Sequence, residues 1–482
     1  MRKNVKQQLA LRVLSTAALM AMVSSIATAA FADTYDLNKG SVDILAEGGK
    51  QYITQWQDES KGTFVQDENG KYIDHRPDDD ITLTTKDETT GEIKTTSNTV
   101  TITAENKGDT ANVTLQNVDI EQPDSYWSSV PAPSEIKGNG DTNLELNGDN
   151  TVLTTNSTAE EHAAIEKADA YGTGTLTIKD DVNDDGTAKT GTEADTTGKL
   201  LAGGYHMAAA IGGGSLSYRE DSLADTSNIT ITGGEITAVA GDDGAAAIGG
   251  GSDGPGKNIR IEGNAHVTAL AKSGAGIGGG TGGGNSITIT DNAVVNARSY
   301  FDAAIGGGDD AGRSNSPNTI TISGNATVTA ESDESSAIGD GRYGNASDLT
   351  INIEKNANVT AISSYDCPAI GTPRSIDATT TTINITGGTV NAINSIGSDY
   401  RPDDGTGDTS PAIGAVIAAN RGATCNVNIN SSTGDTVVNA YIYGKGSGTA
   451  IGSTIRNYND ITHEEEYQYV PADSVSYKAD GS

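Results

Sequence analysis

The sequence predicts an all-β fold, a right-handed parallel β-helix solenoid of about ten circuits with an irregular N-terminal cap. Three observations carry this expectation. A strand-like unit recurs at a near-constant spacing, and its apolar residues alternate at period two. Each copy is then followed by a short Ala-Ile-Gly or Gly-Ile-Gly segment.

The repeated unit reads N-I-T-I-T-G-G-E-I-T-A from Asn228, and later N-T-I-T-I-S-G-N-A-T-V-T-A and T-T-I-N-I-T-G-G-T-V-N-A. Its leading apolar residues are Ile229, Ile259, Ile287, Ile320, Ile351, Ile383 and Val427, spaced by 30, 28, 33, 31, 32 and 44 residues. Alternation such as Ile229-x-Ile231 and Ile236-x-Ala238 is the mark of a half-buried strand rather than a helix. Between the two strands, five residues after each leading Ile, stand Gly234, Asn264, Asn292, Asn325, Asn356 and Gly388. Gly and Asn enter the left-handed backbone region most readily, so this position reads as a tight corner. Equivalent asparagines on successive circuits are expected to stack as an amide ladder. The third segment is centred on Ile248, Ile277, Ile305, Ile338 and Ile370, at 18 or 19 residues from the leading Ile, and it runs on into glycine.

One unit cannot bury its own Ile face, but stacked copies make a continuous narrow core. That explains how 482 residues fold with only three Phe and two Trp. About ten circuits at about 4.8 Å each give a rod on the order of 50 Å. The repeats span 96–457 and are most regular over 227–395; 33–95 is read as an N-terminal cap and 458–482 as a C-terminal cap or tail. A β-sandwich array is the competing architecture, but it lacks a common period near 30.

Residues 1–32 read as a secretory signal peptide: a basic start, a short apolar run from Val13 to Val23, and Ala30-Phe31-Ala32 as the cleavage site. Removing them takes four basic side chains (Arg2, Lys3, Lys6, Arg12) and no acid, leaving 27 basic against 65 acidic residues. So acidic a chain is a poor binder of nucleic acid, whose affinity comes from Lys and Arg on phosphates. The expected location is secreted or at the cell surface, with no membrane insertion after signal removal, and the chain is expected to be a monomer.

The A-A-I-G-G-G and I-T-I-x-G-G/N units around Ile211, Ile248, Ile277 and Ile305 resemble Gly/Thr-rich secreted repeat proteins of anaerobic bacteria. These are usually described as adhesin-like or carbohydrate-binding β-helix surface proteins. The resemblance covers about 96–455 and implies surface location and contact with polysaccharide or host glycans. It brings no catalytic motif with it.

Candidate chemistry is sparse. Sugar recognition pairs aromatic rings with polar side chains. Tyr205, Tyr300 and Tyr365 each precede an Ala-Ile-Gly segment by five or six residues, so they are expected along one edge of the rod, with Tyr400 in a long loop. Asp181, Asn183 and Asp185, followed by Gly186, match the first half of a D-x-[DN]-x-[DN]-G calcium loop, although Thr192 stands where the bidentate Glu belongs. Ca²⁺ is therefore the one cofactor the sequence suggests. The five histidines, His75, His162, His206, His266 and His463, show no metal-ligand spacing. Polysaccharide lyases and pectin-cleaving hydrolases share this architecture, yet the Asn-Thr-Asp, Gly-His-Gly and Arg-Ile-Lys signatures are absent. Asp242-Asp243, Asp309-Asp310 and Arg342 beside Asp340 are the nearest acid and base candidates. The leading expectation is a non-catalytic adhesin-like protein; a lyase or hydrolase and a structural surface spacer are the alternatives. Cys367 and Cys425 fall two circuits apart, a rise of about 9–10 Å, and are expected to remain unpaired.

Overall fold

The computed structural model describes residues 33–55, 81–122, 131–154, 160–182, 189, 198–216, 223–281, 285–308, 318–341, 348–364, 367–375, 379–395, 410–418, 423–430, 436–443, 450–459 and 464–471. They form a parallel β-helix with three long sheets of twelve, ten and fourteen strands. Each circuit contributes one strand to each sheet in turn. One circuit runs Thr226–Ile231 in the first sheet, Glu235–Val239 in the second and Ile248–Gly249 in the third. The next begins at Gly256–Ile261, wound in the right-handed sense that parallel crossovers adopt.

Register is set by the isoleucines. Ile229 pairs with Ile259, Ile259 with Ile287 and Ile287 with Ile320, so identical residues stack on consecutive rungs. All four are buried, at 1% exposure or less. A one-residue slip would turn a whole strand's Ile face to water, so the period-two pattern specifies the register strongly. The core runs unbroken from Tyr35 to Ile429 and is built almost wholly of Ile, Leu, Val and Ala.

The corner between the first and second sheets takes two forms. In the Gly-Gly corners the left-handed residue is the second glycine, Gly234 (φ 84°) and Gly388 (φ 76°). In the Asn corners it is not the asparagine. It is the residue before it: Gly263 (φ 64°), Asp291 (φ 60°), Gly324 (φ 71°) and Lys355 (φ 58°). The Asn corners carry one extra residue, because Ile229 and Ile236 align with Ile259 and Val267. The extra residue is an alanine, Ala265, Ala293, Ala326 or Ala357, tucked in at 0% exposure. Counting from the leading Ile therefore finds the left-handed residue of the Gly-Gly corners but misplaces that of the Asn corners by one.

The asparagines do form the expected ladder. Nδ2 of Asn292 donates to Oδ1 of Asn264 (3.2 Å), Asn325 to Asn292 (3.1 Å) and Asn356 to Asn325 (3.1 Å). A second ladder, not anticipated, runs outside the first sheet, from Asn428 to Asn384 and on to Asn352, both at 2.9 Å.

The N-terminal end begins the stack earlier than the boundary drawn from sequence. Within 33–95, Asp33–Asp36 and Ile81–Thr84 already pair in the first sheet, and Val42–Glu47 pairs in parallel with Val100–Ala104. The stack thus begins upstream of residue 96, because these short strands alternate too briefly to reveal a period. Lys50–Gln55 turns back antiparallel on Val42–Glu47 and closes the third sheet at one end. Glu464–Pro471 does the same on Ile451–Asn459 at the other. Antiparallel hairpins at both ends cover edges that would otherwise template further strands.

Cys367 and Cys425 are both free thiols. Cys367 is buried and its Sγ donates to the Glu334 carbonyl at 3.3 Å. Among the described residues, no helix is long and apolar enough to cross a membrane.

Candidate functional site

Among the described residues, three places gather side chains that the core does not need. The first is the corner between the second and third sheets. Tyr205 follows strand Lys199–Gly203, and Tyr300 follows Val294–Ser299, three rungs further along the same corner. That is a separation of about 14 Å along the rod. Tyr205 is 39% and Tyr300 46% exposed. Phe301 lies edge-on to Tyr300 with ring centroids 4.6 Å apart, and the Tyr205 ring stacks near His206 at 6.4 Å. On the rungs between them Val239 and Leu270 also face solvent. Charges of both signs border this strip: Lys272 with Asp242 at 3.8 Å, and Arg298 with Asp333 at 3.0 Å. Exposed apolar strips rimmed by polar groups mark binding surfaces. Tyr365 and Tyr400 lie outside the described residues. Phe301, Val239 and Leu270 were missed in the sequence; the signal was present, since Val239 and Leu270 share one outward register column.

The second place is the outer face of the first sheet near Glu145. Asp181 and Val182 donate backbone N–H bonds to Glu145 Oε1 at 2.9 and 3.0 Å. Lys179 Nζ reaches Asp181 at 2.6 Å and Glu145 at 3.7 Å. Burial, reinforced by the neighbouring Asp181, pushes the Glu145 carboxyl up to about 8. Asp181 is held below the usual carboxylate range by its hydrogen bond with Glu145 and then by Lys179. Of the proposed calcium ligands, Asp181 thus spends one oxygen on an ammonium, while Asn183 and Asp185 lie outside the described residues.

The third place lies outside the third sheet, one side of it formed by the register pair Glu135 and Glu166. His162 Nδ1 sits 2.8 Å from Glu166 Oε2, and the Ala163 N–H donates to the same oxygen at 3.0 Å. Glu135 Oε2 is 2.6 Å from Lys137 Nζ. The sequence shows no metal-ligand spacing around His162; stacking is what brings its neighbours together, since Glu135 and Glu166 are 31 residues apart, one full circuit.

Among the described residues, the acid and base candidates of the sequence do not gather. Asp242 and Asp243 are exposed at the corner. Asp340 is buried among Asn318 and Thr372, which donate to its two oxygens at 3.0 and 3.2 Å. Asp309, Asp310 and Arg342 lie outside the described residues.

Three stretches of the chain, residues 229–252, 320–342 and 383–415, match the family model described as Beta helix repeat. Each match runs from a first-sheet strand through the second sheet to the Ile-Gly strand of the third, which is one circuit of the structure. The chain is, in its architecture, a β-helix repeat protein. No curated protein and no solved structure matches it.

Proposed function

We propose that this β-helix repeat protein is a secreted or cell-surface binding protein, adhesin-like and non-catalytic, whose ligand is a polysaccharide or a host-surface glycan. The observation that carries this reading is the exposed Tyr300–Phe301 pair on the same corner as Tyr205. Aromatic faces with a polar handle suit the apolar face and hydroxyl rim of a sugar ring. The rod repeats this corner every rung, which suits an extended polymer better than a small ligand. A net acidic, monomeric rod would avoid nucleic acid and anionic lipid.

A glycan array with the purified chain tests the reading. Binding is expected to at least one polysaccharide class, and Tyr300→Ala with Phe301→Ala should weaken it by about tenfold. No signal on any glycan would leave the structural spacer standing.

A second reading, a glycoside hydrolase, is favoured by the Glu145 and Asp181 pair. Environments that drive two neighbouring carboxyls apart supply an acid and a base. Release of reducing ends from pectin by the wild type but not by Glu145→Gln would replace the adhesin reading with this one.

A further inference from the structure

We infer that Glu135, His162 and Glu166 form a binding site for a divalent transition-metal ion of the Zn²⁺ or Mn²⁺ class, independent of the tyrosine corner. One imidazole nitrogen and two carboxylates each offer a ligand atom, and these atoms all lie within 4.8 Å of one another. Donors about 2.0–2.2 Å from a common ion stand at most about 4.4 Å apart, so an ion would draw these three atoms slightly together. A mixed nitrogen and oxygen set suits zinc or manganese, whereas Ca²⁺ takes oxygen alone.

The fold builds this niche from three parts. Outward positions of the third sheet stack in a column, and from Gly212 onward that column is glycine on eight consecutive rungs, ending at Gly452. A side chain has no room there. The two rungs just before it carry Glu135 and Glu166, so the column opens into a place for side chains where carboxylates stand on adjacent rungs. The wall comes from an excursion: Glu160–Glu161 pairs antiparallel with Ser215–Leu216, and the chain then passes through His162 back to the sheet at Ile165. This covering leaves the Glu166 side chain fully buried and those of His162 and Glu135 only 11% and 12% exposed.

The surroundings orient the donors as outer-shell groups do in metal sites. The Ala163 N–H holds one Glu166 oxygen, and Lys137, itself 4.8 Å above the Tyr171 ring, holds one Glu135 oxygen. Two carboxylates buried side by side repel each other, and a divalent cation between them removes that cost while taking the imidazole as its third ligand. Three protein ligands leave the coordination shell open to water.

The test uses the untagged full chain, stripped with EDTA and dialysed against Zn²⁺ or Mn²⁺. One equivalent of bound metal is expected, with a thermal midpoint about 3 °C higher at a hundredfold excess over the dissociation constant. Glu135→Gln with His162→Gln should lose the metal and the shift while keeping the β circular dichroism of the wild type. Asp181→Asn should keep both. Absence of stoichiometric metal in the wild type would overturn the site, as would retention by a folded Glu135→Gln, His162→Gln variant. Loss of the metal in Asp181→Asn alone would place the ion on the acidic loop and equally refute the proposal.

Discussion

Gly306 and Gly339 stand so close on adjacent rungs that a Cβ on the first would lie 1.8 Å from the carbonyl oxygen of the second. The same relationship recurs from Gly212 to Gly414, with φ between 135° and 148° along the column. Only glycine takes this backbone without strain, and the obstacle is main chain that cannot rotate aside. Gly306→Ala should therefore cost about 3 kcal/mol or more, read as a fall in the urea midpoint. An unchanged midpoint would mean that the column is less tightly stacked.

The amide ladder is a smaller contributor. Asn325 donates to Asn292 and accepts from Asn356, so Asn325→Ala removes two links. Both are exposed, and the expected loss is about 1 kcal/mol in all. The slope of the urea transition should stay the same, because no surface is newly exposed.

Lys355 holds φ at 58°, a region that costs a side-chain-bearing residue about 1 kcal/mol or more. Lys355→Gly is expected to stabilise the chain by up to about 1 kcal/mol. Lys355→Ala should not, since it keeps the Cβ; equal gains from both would assign the effect to charge instead.

Full burial pushes Asp340 up to about 6, against hydrogen bonds from Asn318 and Thr372 that pull it down. The folded pKa lies above the unfolded 3.8, so this group's contribution is fully present below about pH 4 and is lost as pH rises through 6. The difference amounts to about 3 kcal/mol. Asp340→Asn should remove that loss, so the stability gap between variant and wild type should widen from pH 4 to 7. Parallel pH profiles in chemical denaturation would contradict this.

Burial also pushes the Cys425 thiol up to about 11. At neutral pH it should react with disulfide reagents far more slowly than an ordinary thiol, while both cysteines titrate once the chain is unfolded. A dithiothreitol-sensitive melting point would reveal a disulfide and refute the separation of the two thiols by rung.

The repeat, the strand alternation, the Ile stack, the Asn ladder and the separation of the two cysteines were all legible in the amino-acid sequence. Each follows from a local rule, period two within a strand and about 30 residues between strands, that stacking merely repeats. Tertiary structure alone decided three things. It moved the left-handed residue from Asn356 to Lys355, because the extra alanine of that corner must turn inward. It opened the parallel stack before residue 96, where Val42–Glu47 is held by its neighbour rather than by its own pattern. It brought Glu135, His162 and Glu166 together, since two of them meet only through rung-on-rung register and the third only where an excursion folds back. Local propensity can state which face a side chain takes; which side chains share that face depends on how far the chain travels before it returns.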